Sequence, residues 1–186
     1  MNKTNKNLLI NNVNDRFFEQ ILLGRKFYEA PIITSRICGQ HSVAHSIASC
    51  AAIEKACGIA PAKQTKDLRK LLLCGQIIQD HTNFLYSKIL PDFLGAKSFF
   101  ELQKKHPEIF QNAILLQKYA REILEIIGGR AVHSITDVPG GFKKFPEKEE
   151  FKKLLKKSKE IEEIALKSIS LFAGFQFPDM KQNLIY

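Results

Sequence analysis

The chain has 186 residues, of which 45% are hydrophobic, and it carries a net charge of +9. That length suits one domain with a buried core. No apolar run of about 18 residues is present, and no basic segment followed by an apolar one stands at the start. We therefore expect neither a transmembrane segment nor secretion, and we expect a cytoplasmic protein.

The positive charge does not by itself indicate nucleic-acid binding. Much of the excess lies between Lys143 and Lys167, which hold nine lysines and six glutamates. A groove for a phosphate backbone would more often mix arginine and aromatic residues into the lysines. We therefore predict a solvated helix face here, and no nucleic-acid partner.

The four cysteines are few and irregularly spaced, and most of them fall within helical patterns. This usage fits reduced thiols better than a disulfide framework. Cys50, Cys57 and Cys74 have no metal-ligand spacing with Cys38, so we interpret those three as core residues.

Apolar residues recur with a helical period along most of the chain, and no stretch alternates convincingly as a strand does. At the N-terminus we predict a frayed start over 1–14 and a short helix over 15–23. Four helices follow in chain order: one from Ser42 that stops at Gly58, one from Thr65 to about Ile89, a short one from Ser98, and one from Pro107 to Ile127. A last helix runs from Glu147 to about Phe172 and is followed by a tail to 186. A loop rich in glycine and proline spans 128–146. The pattern predicts a mainly α fold, a helical bundle of about five or six helices with glycine-rich loops at one end.

One short stretch combines three side chains that bind metals, namely Cys38, His41 and His45. Thiolate and imidazole both ligate zinc, nickel and iron. The two histidines share a face if the helix starts by Ser42, and Arg36 would favour the thiolate form of Cys38. Three ligands do not complete a tetrahedral set. The stretch therefore indicates either a metal or thiol site, or a buried thiol beside two hydrogen-bonded histidines.

Four motifs occur in an order typical of one family. They are Arg16-Phe17-Phe18-Glu19; Arg36-Ile37-Cys38-Gly39-Gln40-His41-Ser42-Val43-Ala44-His45; Leu90-Pro91-Asp92-Phe93-Leu94-Gly95; and Gly128-Gly129-Arg130-Ala131-Val132-His133 followed by Pro139-Gly140-Gly141. Together they resemble the large, catalytic subunit of the nickel–iron hydrogenases, most closely the cytosolic soluble type. The resemblance covers about Asp15 to Pro146. It implies reversible oxidation of dihydrogen at a nickel–iron centre, and its implied partner is an iron–sulfur small subunit.

The resemblance also implies roles for single residues. It implies that Cys38 and His41 are the metal ligands. It implies catalytic roles for Glu19, Asp92 and His133, either in proton transfer or as charged groups near the metals. It also implies that Arg36, His45 and Arg130 orient the ligands. The residues alone leave ordinary alternatives open, including a surface carboxylate, a turn aspartate, a loop-packing histidine and plain salt bridges.

The chain also departs from the family. The motif that resembles the family's Arg-x-Cys-Gly-x-Cys-x3-His has His41 where a second nickel cysteine should stand, and Ser134 follows His133 where a proline is usual. The family's C-terminal Cys-x2-Cys-x2-His motif and its N-terminal Arg-Ile-Glu-Gly-His segment do not occur in these 186 residues. Relative to the family, we expect a single partial domain truncated at both ends. Because one of four nickel thiolates remains, we expect little or no hydrogen turnover by the chain alone.

Several functions stay open from the sequence. The chain is part of a hydrogenase if a separate chain supplies the missing Cys-x2-Cys motif. It is a non-catalytic scaffold if it resembles the complex-I-like relatives that lost the nickel cysteines, and it is otherwise a degenerate fragment. A small zinc site formed by Cys38, His41 and His45 is a minor alternative.

Overall fold

The computed structural model describes residues 17–176, and its elements are almost all helical. They are α1 (Phe17–Gln20), a 3-10 turn (Phe27–Glu29), α2 (Ala30–Thr34), α3 (Ser42–Cys57), α4 (Lys63–Asn83), a π-helical turn (Phe84–Ile89), α5 (Leu90–Phe93), α6 (Phe99–Lys105), α7 (Pro107–Gly128), β1 (Asp137–Val138), β2 (Gly141–Phe142) and α8 (Lys148–Ala173). The strands form one short antiparallel pair. The mainly α prediction is confirmed. The predicted frayed start over 1–14 lies outside the described residues.

The long helices begin and end at residues whose chemistry explains the boundary. Gly58, at φ +66°, closes α3, and Gly129, at φ +75°, closes α7, because glycine enters the left-handed region without a Cβ clash. Pro107 opens α7 at a position where its missing N–H costs nothing. The α8 helix starts with a capping box in which the Glu147 backbone N–H donates to the Glu150 carboxylate at 2.7 Å.

Helices α4 and α7 pack directly on one another and form the centre of the fold. Gly75 makes this close approach possible, since a Cβ added there would stand 2.8 Å from Cγ2 of Ile123. The buried side chains around this contact form the first core cluster: Val43, Leu68, Leu72, Ile123, Leu124, Ile127, Phe142 and Leu154. Burial of these apolar groups is the main force holding α3, α4 and α7 together.

A second core cluster lies towards the other end of α7 and α8. Its buried members are Tyr86, Leu90, Ala96, Leu102, Ala113, Leu116, Ile161 and Ile164. The Tyr86 and Ser168 hydroxyls share a buried 2.6 Å hydrogen bond that links the π-helical turn to α8. Since α8 contributes to both clusters, it ties the two ends of the bundle together. No helix within 17–176 is both long and apolar enough to span a bilayer.

Candidate metal site around Cys38

The segment between α2 and α3 carries Cys38, and neighbouring helices hold both of its ends. Overlapping turns close α2, with the backbone N–H groups of Arg36 and Ile37 donating to carbonyls three residues earlier. The start of α3 is capped from α4, because the Gln76 side-chain oxygen accepts from the backbone N–H of Val43 at 2.7 Å and of Ala44 at 3.3 Å. The loop therefore has a fixed position on the first core cluster.

Cys38 and His41 stand next to each other in this loop. The Cys38 Sγ lies 3.4 Å from the His41 Nδ1. The His41 backbone N–H, and after it the His41 ring, lowers the pKa of the Cys38 thiol, and the Gln40 backbone adds to the effect. We expected Arg36 to favour the thiolate, but these nearer donors are what lower the pKa.

Asp80 extends this pair on the other side of the imidazole ring. The His41 Nε2 lies 4.0 Å from the Asp80 Oδ2. Burial raises the pKa of Asp80, and the charges of His41 and His81 oppose that rise. Sequence reasoning missed Asp80 because it lies far from the motif in sequence. Only its position one turn after Gln76 on α4, on the same helix face, could have indicated it.

His133 joins the glycine-rich loop to the Cys38 segment. Its ring Nδ1 lies 2.8 Å from the Ser35 carbonyl oxygen, and its backbone N–H donates to the Ser42 hydroxyl at 3.2 Å. It is the one non-glycine residue within 17–176 at positive φ, +58°, a conformation that carries strain for a side chain of this size. These contacts account for its position as a loop-packing histidine, and its catalytic role stays a prediction.

The other residues singled out from the sequence are distributed over several elements. Glu19 is exposed on α1 and Asp92 is exposed on α5, which packs on the π-helical turn and α6. Arg36 donates from Nη1 to the Ile32 carbonyl at 2.7 Å. His45 is half-buried on α3, where its carbonyl lies 3.4 Å from the Thr34 hydroxyl, and Arg130 is exposed after α7. Their predicted roles in proton transfer and ligand orientation therefore stay predictions.

The described residues do not form a complete metal site. Within 17–176, no three His, Cys, Asp or Glu side chains are grouped closely enough to hold an ion. Cys38, His41 and His45 therefore do not form such a group, and the zinc alternative has no support. Cys50 is buried on α3, but Cys57 and Cys74 are exposed helix residues, so the interpretation of these three cysteines as core is wrong for Cys57 and Cys74. Cys38 and His41 could contribute to a nickel–iron centre, but the donor set of this chain does not fit the whole group.

A buried ion cluster fixes the loop after α7. Arg69 forms a bidentate ion pair with Glu54, in which Nη1 and Nη2 donate to the two carboxylate oxygens at 2.9 and 2.7 Å. The Arg69 Nε donates to the Asp137 Oδ1 at 2.8 Å. Glu54 also accepts the Gly140 backbone N–H at 2.7 Å. Burial, followed by the charge of Asp137, raises the pKa of the adjacent Cys50 thiol to about 12. This cluster links α3, α4 and the loop in one low-dielectric region.

Comparison with known proteins identifies the class. A family model described as nickel-dependent hydrogenase matches residues 16–109. The alpha subunit of sulfhydrogenase 2 from Pyrococcus furiosus is 38% identical over 159 residues, which make up 86% of this chain and 39% of that protein. An F420-non-reducing hydrogenase vhu subunit from Methanocaldococcus jannaschii is 34% identical over 174 residues, which make up 90% of this chain and 42% of that protein.

A solved structure agrees with these sequence matches. The NAD+-reducing NiFe-hydrogenase in its H2-reduced state is similar with a TM-score of 0.81 at 27% identity, over 85% of this chain and 37% of that one. The chain belongs to the nickel–iron hydrogenase large-subunit family, which confirms the resemblance seen in the motifs. It spans about two fifths of the length of these curated relatives.

Proposed function

We propose that this chain is the N-terminal helical part of a nickel–iron hydrogenase large subunit, and that it supplies Cys38 to a centre completed by other polypeptide. The observation that supports this most directly is the Cys38–His41 pair, held in a fixed loop at the position that resembles the family's nickel-binding motif. In the completed assembly the activity would be the reversible oxidation of dihydrogen to protons and electrons.

We further propose that the chain is inactive alone. The sequence has four cysteines. Cys50 is buried on α3, and within 17–176 neither Cys57 nor Cys74 belongs to a group of three side chains that could hold a metal. An imidazole at position 41 lacks the negative charge and bridging sulfur of a thiolate. Cys38 alone would therefore not retain the two metals.

The proposed partners follow from the same argument. One is an iron–sulfur small subunit, which would carry electrons, and the other is a chain bearing the C-terminal Cys-x2-Cys motif. A related protein from Cupriavidus necator is named as subunit beta of the NAD-reducing hydrogenase HoxS, which is consistent with a hydrogenase of more than one subunit. We propose a cytoplasmic assembly, in which Glu19, Asp92 and His133 handle protons or line the site while Arg36, His45 and Arg130 orient its ligands.

A second candidate function is that of a non-catalytic scaffold in a hydrogenase-related or complex-I-like assembly. It is favoured by His41, whose ring is already engaged between Cys38 and Asp80 at 3.4 and 4.0 Å. In such a scaffold the pair stabilises the loop and no nickel binds.

Metal retention by a cysteine variant tests the proposal. The complex that copurifies with Cys38→Ala should lose nickel relative to the unmodified complex, because the variant removes the one thiolate in the motif. Cys57→Ala, at an exposed helix position, is the matched control and should retain nickel. Equal nickel in both variants would overturn the proposed role of Cys38, and no nickel in the unmodified complex would favour the scaffold or a degenerate fragment.

A further inference from the structure

A shallow groove runs over the packed helices α4 and α7 and begins at the loop that carries Cys38. One part of it has a volume of about 320 Å³ and another part has a volume of about 330 Å³. Gln79 and Gln117 line both parts, so the two form one continuous groove. The remaining lining residues are Gly39, Gln40, Asp80, Asn83 and Val132 near Cys38, and Ile114, Lys118 and Arg121 at the other end.

The centre of this groove has a fixed position. The Gln117 side-chain N–H donates to the Gln79 carbonyl oxygen at 2.7 Å, which joins α7 to α4. Both helices also contribute to the first core cluster, through Leu72 of α4 and Ile123 of α7 among others. The surface is therefore ordered without a partner, and an ordered surface loses less conformational freedom when it binds.

The groove offers side-chain amides with unused hydrogen-bonding capacity. Within the part of the chain that the structure describes, no hydrogen bond involves the side-chain amide of Gln40 or Gln79. Asn83 uses only its oxygen, which accepts from the Ser87 hydroxyl at 3.1 Å, and Gln117 uses only its N–H group. A primary amide has both donors and an acceptor. Every non-proline residue of a main chain has the same two kinds of group, so these amides match a polypeptide segment.

The two ends of the groove carry opposite charges. Asp80 stands at the end near the candidate metal site, where its Oδ2 lies 4.0 Å from the His41 Nε2. Lys118 and Arg121 are exposed at the other end. Among the described residues Lys118 has no ion-pair partner, whereas Arg121 pairs with Glu125 at 3.8 Å. An acidic side chain of a partner would therefore find an unpaired ammonium at this end.

Each part of the groove also presents an apolar side chain. Val132 is 41% exposed in the part that Gly39 lines, and Ile114 is 40% exposed in the other part. Burial of apolar surface is the main favourable term in most protein associations. A partner that fits the whole groove therefore has an apolar side chain near each end, main-chain groups between them, and an acidic residue opposite Lys118.

The position of the groove favours the polypeptide that completes the candidate metal centre. Bonds from a metal ion to a thiolate are about 2.3 Å long, so a chain that supplies thiolates to a metal bound by Cys38 must lie against the Cys38 loop. Gly39 and Gln40, the next two residues, form one end of the groove. The match covers 39% and 42% of the two curated relatives, so about three fifths of each relative lies outside it.

We propose that this groove is the docking surface for the polypeptide that carries the Cys-x2-Cys motif. A segment of that polypeptide pairs through its main chain with the amides of Gln40, Gln79 and Gln117. An acidic side chain of the segment faces Lys118, and the segment leads the thiolates of the motif to Cys38. This inference rests on the proposed function, which supplies the identity of the partner.

Photocrosslinking in the anaerobically purified native complex tests the proposal. One variant carries p-benzoylphenylalanine in place of Gln79, at the centre of the groove, and the matched control carries it in place of Lys153, an exposed residue of α8. We expect position 79 to give a product that position 153 does not give, and mass spectrometry should assign its second peptide to the polypeptide with the Cys-x2-Cys motif. Products with another subunit or with a second copy of this chain, or equal yields from both positions, would overturn the proposal.

Carbodiimide coupling of the unmodified complex is an independent measurement that needs no change at Gln79. This zero-length reagent should join the Lys118 ammonium to an aspartate or glutamate of the same polypeptide, and Lys118→Gln should abolish that product. If the benzoylphenylalanine variant fails to fold, the coupling decides. Its absence, or coupling of Lys118 to a different chain, contradicts the docking surface.

Nickel analysis of the same samples separates this proposal from the proposed function. Nickel in the complex without the expected crosslinks overturns the docking surface and leaves the proposed role of Cys38 standing. The expected crosslinks in a complex without nickel support the docking surface and contradict the hydrogenase function.

Discussion

The Nδ1 atom of His41 lies 3.4 Å from the Sγ atom of Cys38, while the other ring nitrogen faces Asp80. This arrangement brings a thiol, an imidazole and a carboxylate together at the start of α3. It gives Cys38 an environment unlike that of the three other cysteines, and it ties the loop to α4. Its chemical consequences can be measured without any metal.

The reactivity of the cysteines should follow this difference. We expect Cys38 to react faster with iodoacetamide near neutral pH than Cys50 does, since His41 lowers the pKa of Cys38 while burial raises that of Cys50 to about 12. Peptide mass spectrometry of the timed reaction gives each rate. His41→Ala should slow the reaction of Cys38, because it removes the ring that helps to lower the pKa. Equal rates for Cys38 in both proteins would show that the imidazole has no such effect.

Removing the guanidinium of Arg69 should destabilise the fold strongly. Arg69→Met leaves the carboxylates of Glu54 and Asp137 buried without their cation, and breaking such a pair costs about 3–5 kcal/mol. Urea unfolding measures the change in the free energy of unfolding. Arg121→Met is the control, because Arg121 pairs with Glu125 on the surface of α7 at 3.8 Å and should contribute little. Similar losses in both variants would contradict the importance of the cluster.

The same cluster predicts part of the acid unfolding. Hydrogen bonds from Arg69 hold the pKa of Glu54 below its ordinary value of 4.5. A carboxylate whose pKa is lower in the folded chain than in the unfolded chain stabilises the fold at pH values above its unfolded pKa. That stability is lost as the pH falls through the folded pKa. Burial raises the pKa of Asp137, so its contribution has the opposite sign, being largest at low pH and lost as the pH rises.

We therefore expect the difference in unfolding free energy between the unmodified chain and Glu54→Gln to shrink steadily as the pH falls from about 6 to about 3. Urea titrations across that range measure it. A difference that does not change with pH would mean that ionisation of Glu54 does not stabilise the fold.

The isolated chain should self-associate. Large apolar side chains are exposed on α8, including Leu166 at 57% and Ile169 at 66% exposure, and exposed apolar surface promotes association. Light scattering at micromolar concentration should detect oligomers. The double variant Leu166→Gln/Ile169→Gln should reduce them, whereas the control Lys167→Gln should not. A clean monomer of the unmodified chain would contradict this prediction.

Helical periodicity and terminal residues were enough to predict most of the fold. Gly58 and Pro107 act locally, through backbone conformation and a missing donor, so a sequence shows them directly. The Arg69 cluster could not be predicted, because its bonds to Glu54 and Asp137 join residues 15 and 68 positions apart. The predicted helix to about Ile89 exists as α4 and the π-helical turn, a change of hydrogen-bonding pattern that residue periodicity does not reveal.

The candidate site was predicted in part. The spacing and the family resemblance pointed to Cys38 and His41, and the structure places them side by side. Asp80 lies on the other side of the His41 ring because α4 packs beside the start of α3. The motif does not encode that packing. The predicted contributions of Glu19, Asp92 and His133 stay predictions that need functional tests.

Metal analysis of the anaerobically purified native complex, with the intact mass of every copurifying chain, tests the central claim most directly. The proposed hydrogenase part predicts nickel and iron together, and a copurifying chain that carries a Cys-x2-Cys motif. Absence of nickel and of any such chain would contradict the enzymatic proposal and leave a scaffold of the hydrogenase family.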